Sequence, residues 1–155
     1  MQIFPDFYPS PLSKLSAGSL ALLAEAGGVV PVLVAGPAAD SAVAVAVLAP
    51  DAAIPVHFRA LPGATVAYAI GKNYLLEVDP TSARPAGEFR AGALLLTPRA
   101  RLLTGGDGER HLAFDCDSAA IAEWAPPEGG VLFPRWHIAA VQTATNTARE
   151  IVRFG

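Results

Sequence analysis

Residues 41–50 read SAVAVAVLAP, and their alternation decides the fold class. Val43, Val45 and Val47 fall on one side of an extended chain and the alanines on the other. A period of two belongs to a β-strand, whose successive side chains point to opposite faces. The β-branched valines suit a pleated surface. The same period recurs in TVAYAIG, which sets Val66, Tyr68 and Ile70 opposite Ala67 and Ala69. In HLAFDC it sets Leu112, Phe114 and Cys116 opposite His111, Ala113 and Asp115. Alanine favours helices, but the alternation outweighs it here.

Turn residues punctuate these runs at Gly27-Gly28, Gly36-Pro37, Pro62-Gly63, Gly71 to Asn73, Pro85 to Gly87, Gly105 to Gly108 and Gly129-Gly130. Short strands with such punctuation predict a mostly β protein, a sandwich or barrel of antiparallel strands. The tail reads two ways. Thr145 to Arg153 fits a short helix capped by Thr145 or Asn146, or a last strand through Ile151 and Phe154.

One phrase nearly repeats. AGSLALLAEA (17–26) reappears as AGALLLTPRA (91–100), and each copy leads through further strands to an aspartate, small residues and an isoleucine. Asp51 aligns with Asp117 and Ile54 with Ile121. The reading is two related β-units, 17–80 and 91–142, within one compact domain, 17–155. A lone unit would leave a sheet face bare, and a second can cover it. Residues 1–16, MQIFPDFYPSPLSKLS, stand apart. Pro5, Pro9 and Pro11 each lack an N–H and fix φ, which excludes a helix or central strand. This segment reads as an extended arm whose rings, Phe4, Phe7 and Tyr8, pack on the chain's own core or serve as anchors for a partner.

The bulk numbers narrow the function. The chain has 155 residues, enough to bury ~70% of its extended surface without disulfide or metal. Charged residues make up only 16%, against about 25% in an average domain. A sparsely charged surface suits contact with another protein. A net charge of −3 and no basic run argue against nucleic acid. Cys116 stands alone, so no internal disulfide forms. No apolar stretch is long enough for a membrane span. The first residues, with Asp6 and several prolines, make a poor signal peptide. The expected location is the cytoplasm or an assembled particle.

Chemistry is sparse. His57, His111 and His137 lie far apart in sequence. His111 and Asp115 share a strand face but sit about 13 Å apart by strand rise. Asp115 and Asp117 flank Cys116 and disfavour its thiolate, the wrong setting for a nucleophile. GGDGE (105–109) lacks the following Lys and helix of a phosphate loop and reads as a hairpin turn. No metal or cofactor is implied. The aromatic run of the second half is richer: Trp124, Phe133 and Trp136, with Arg135 and His137 interleaved. The cluster reads as a core layer beneath the strand VLFPRWHIAAV or as an interface, since Trp and Arg are favoured at interface centres.

The sequence therefore predicts a non-enzymatic structural or interaction protein within an assembly, a homo-oligomer of the virion-accessory or capsid-decorating kind. Its candidate interface residues are Phe4, Phe7, Tyr8, Trp124, Phe133, Arg135 and Trp136. The alternatives are a small-molecule or carbohydrate binder using Trp124, Arg135, Trp136 and His137, and an enzyme with a site dispersed over His111, Asp115 and Asp117.

Overall fold

The structure is a computed structural model, and it describes residues 7–142 and 145–155. The chain is mostly β. Among the described residues fifteen strands run in order: β1 (Tyr8–Pro11), β2 (Leu20–Glu25), β3 (Gly28–Pro37), β4 (Ala42–Leu48), β5 (Val56–Pro62), β6 (Val66–Gly71), β7 (Tyr74–Val78), β8 (Arg84–Pro85), β9 (Leu94–Leu96), β10 (Arg101–Gly106), β11 (His111–Asp115), β12 (Ile121–Glu123), β13 (Val131–Phe133), β14 (Trp136–Gln142) and β15 (Thr147–Phe154). They form more than one sheet, and none closes into a barrel. Among the described residues, no helix is long and apolar enough to cross a membrane.

The large sheet has two runs of strands. The first is ordered β1-β6-β2-β3-β4-β5 and the second β8-β13-β9-β10-β11-β12. Each is a four-strand meander whose first strand also pairs with the strand that follows the meander. Each carries a short strand containing proline at its outer edge. A parallel bridge between His57 of β5 and Gly106 of β10 joins them. The remaining sheet is β15-β14-β7.

The first run curls. β5 and β6 lie at opposite ends of β6-β2-β3-β4-β5, yet the chain passes from one to the other in residues 63–65. The concave face encloses an apolar cluster that includes Leu12, Ala21, Leu23, Val32, Val34, Val45 and Ala67. Arg59 and Glu25, on strands with two others between them, meet in an ion pair, as the curl requires. The other face packs Leu20, Leu33, Leu48 and Phe58 against Leu103, Phe114, Trp136, Ile138 and Phe154. With cores on both sides, the central strands read as nearly unbroken apolar runs.

Two points that the sequence leaves open are decided here. In β6 the alternation is as expected, but Ala67 and Ala69 face the buried concavity while Val66 and Tyr68 are exposed. Alanine fits there because the curl leaves little room. The tail is a strand and not a helix. Asn146, in left-handed backbone at φ 49°, turns the chain back, and Val152 and Phe154 of β15 face the core.

Candidate functional site

The residues that the sequence groups together separate in space. Trp136 is buried, stacked on Phe154 with ring centroids 4.3 Å apart, and its indole N–H donates to the Gly92 carbonyl at 2.7 Å. Phe133 is buried in the same core. Trp124 packs on a different cluster, with Ala93, Leu95 and Leu132. Its ring meets the edge of Phe89, which stacks on His111 at 3.8 Å. Arg135 is exposed, pairs with Asp79 at 3.1 Å and donates to the Thr81 hydroxyl at 2.8 Å. His137 Nε2 lies 2.7 Å from Glu77 across the β7–β14 ladder. Trp124 thus stands apart from Trp136, Arg135 and His137.

His111, Asp115 and Asp117 do not form a unit either. The Asp115 carboxylate accepts from the Asp117 N–H and the Ser118 hydroxyl, both at 2.8 Å. Asp117 pairs with Arg101, which holds its carboxyl below the usual range. Burial, helped by Asp115 and Asp117, pushes the Cys116 thiol up to about 12. A thiol so seldom ionised at neutral pH is a poor nucleophile.

Of the arm, Phe4 lies outside the described residues. Tyr8 to Pro11 pair with β6, and Leu12 behind them is fully buried. Phe7 and Tyr8 remain exposed. Beside them is a feature that the sequence reading did not single out. On the outer face, Pro9, Tyr68, Leu22 and Pro31 lie side by side across β1, β6, β2 and β3. Val66, on the same side of β6, is 55% exposed, Tyr68 47% and Val29, at the tip of β3, 63%. Leu22, Val29 and Pro31 also line a groove of about 600 Å³ that runs to Ile151 and Val152 of β15. None of the residues in this row is charged. The alternation in TVAYAIG was its sequence signal, once the alanine side is the buried one.

No protein-family model matches the chain, and neither does any curated protein or solved structure.

Proposed function

We propose that the chain is a non-enzymatic structural or interaction protein that acts inside a protein assembly as a homo-oligomer, a body of the kind that decorates a larger particle such as a virion. The observation that carries this reading is the uncharged row of exposed Pro9, Tyr68, Val66 and Val29, laid around half-buried Leu22 and continuous with a mostly apolar groove. Contiguous exposed apolar surface marks interaction sites in soluble proteins. Phe7 and Tyr8 extend it at the edge with two rings.

The body is two related β-units. The matching strand orders support this, and so do details. Gly18 donates to Val34, which donates to Ser19; Gly92 donates to Thr104, which donates to Ala93. Tyr74, opening β7, donates its hydroxyl proton to the Gly18 carbonyl at 2.9 Å, and Trp136, opening β14, donates its indole N–H to the Gly92 carbonyl at 2.7 Å. Both glycines need left-handed backbone, at φ 80° and 79°. Pro9 on β6 is echoed by Pro85 on β13.

The test is light scattering on the parent and on a Tyr68→Lys, Val66→Lys double variant. The parent assembles, and the variant falls to a smaller species, no larger than a dimer, with an unchanged circular dichroism spectrum, because both side chains are already exposed. A parent that stays monomeric at every concentration overturns the reading. A small-molecule or carbohydrate binder is the second reading, supported by the exposed His111 ring stacked on half-buried Phe89, with half-buried Trp124 beside them.

A further inference from the structure

The three-stranded sheet is covered unequally. β14 is flanked by β7 on one edge and by β15 on the other. β7 has β14 on one edge and, among the described residues, no strand on the other. The ladder between β7 and β14 is two-fold in form: Ile138 faces Leu76, Trp136 faces Val78 and Ala140 faces Tyr74. Exchanging the two related units maps this ladder onto itself. The edge of β14 that β15 covers then corresponds to the bare edge of β7.

Hydrogen-bond parity shows what that edge offers. The Asn73 carbonyl accepts from Val141 at 2.8 Å, and the Asp79 N–H donates to Arg135 at 3.0 Å. Asn73, Leu75, Glu77 and Asp79 are therefore the residues bonded to β14. Leu76 and Val78 turn their N–H and C=O groups outward. Beside them runs a groove of about 530 Å³ bordered by Leu75, Leu76, Arg101, Cys116 and Asp117. At the other end of the sheet, Leu48, Ala49 and Pro50 border the corresponding groove, where β15 already lies.

Other edges carry features that discourage pairing. β1 has Pro9 and Pro11, β8 is Arg84-Pro85, β12 is only three residues long and ends on Glu123, and β15 bears Arg149, Glu150 and Arg153. β7, YLLEV, has neither proline nor a basic residue, and Leu75 is 48% exposed.

We propose that β7 pairs antiparallel with β7 of a second copy, about a two-fold axis at Leu75. This rests on the assembly reading above and on the kinship of the two units. The Leu76 N–H then donates to the partner's Tyr74 carbonyl, the N–H of Tyr74 being held by the Lys72 carbonyl at 3.0 Å. A register centred on Glu77 would set two carboxylates face to face, and one centred on Leu76 would set Leu75 against a carboxylate. The Leu75 register puts leucine on leucine and brings Glu77 opposite Asn73, beside Lys72.

Leu75 is then a non-hydrogen-bonded pair with Cα atoms about 4.5 Å apart, close enough for a disulfide. Mild oxidation of Leu75→Cys gives a covalent dimer, while Glu77→Cys and the parent, whose one thiol is Cys116, do not cross-link. Leu75→Lys weakens dimerisation at least tenfold and leaves the circular dichroism spectrum unchanged. Equal cross-linking of Leu75→Cys and Glu77→Cys, or none in either, overturns the proposal. Should Leu75→Cys fail to cross-link while the Tyr68, Val66 variant still breaks an assembly, only the β7 contact falls. A chain that is monomeric throughout removes both.

Discussion

Trp136 and Trp124 are the same residue type in one short aromatic run, and the fold puts them to different uses. Trp136 fills the core and gives the Gly92 carbonyl its donor. Trp136→Phe leaves that buried carbonyl unpaired, which costs about 1–3 kcal/mol before any cavity is counted. Trp136→Ala costs about 3–5 kcal/mol. Trp124→Phe, at a half-buried position that makes no side-chain hydrogen bond among the described residues, costs less than either. Urea midpoints at constant m-value measure all three, and a Trp136→Phe midpoint equal to the parent's contradicts the account. The sequence could not separate the two tryptophans. Pro134 and Arg135 interrupt the run between β13 and β14, and these strands belong to different sheets. Strand parity cannot be carried across such a break. Cys116 was legible because the alternation of HLAFDC turns it inward, where burial raises the thiol, and because Asp115 and Asp117, which add to this, are its neighbours in sequence.

The hairpin between β10 and β11 was legible from GGDGE alone, and the structure adds what holds it. The Asp107 carboxylate accepts from the N–H groups of Arg110 and Glu109 and pairs with the Arg110 guanidinium. These backbone and side-chain hydrogen bonds draw its carboxyl down to about 2. A folded-state value below the unfolded one, about 3.9, stabilises the hairpin at higher pH. That contribution is complete above the unfolded value and is lost as pH falls through the folded one. Carboxyl carbon NMR places the Asp107 midpoint near 2, and Asp107→Asn removes this part of the acid sensitivity. An Asp107 midpoint near 4 contradicts it. The strands with strict alternation, β4, β6 and β11, were as readable as this turn. β15 was not, because a bulge against β14 between Ile138 and Ala139 shifts its register and blurs the period. Which side of β6 is buried was also hidden, since a curled sheet buries its concave alanines and exposes larger neighbours.

At the scale of the whole molecule, the two runs of strands share one core, so they should stand or fall together. Leu20, Leu33, Leu48 and Phe58 come from the first run, and Leu103, Phe114, Trp136 and Phe154 from the later strands. The two are also joined where β5 meets β10. There Gly105 lies so close to β5 that a Cβ would sit 2.3 Å from the Val56 carbonyl oxygen and 2.8 Å from the Phe58 ring. Backbone on both sides of such a contact cannot yield without parting the runs. Gly105→Ala therefore destabilises by about 1–3 kcal/mol through overpacking, a melting-temperature loss of roughly 2–4 °C per kcal/mol for a chain of this size. Gly87→Ala, with no atom within 4 Å of the new methyl group, leaves the melting temperature unchanged. If the shared core governs stability, calorimetry shows one transition in the parent and in Gly105→Ala. Trp136 fluorescence, reporting the later strands, then falls at the same temperature as protease resistance of β2–β5. Two separated transitions, or a Gly105→Ala loss confined to one run, would mean that each unit is stable alone and that the contact between them only docks two finished bodies.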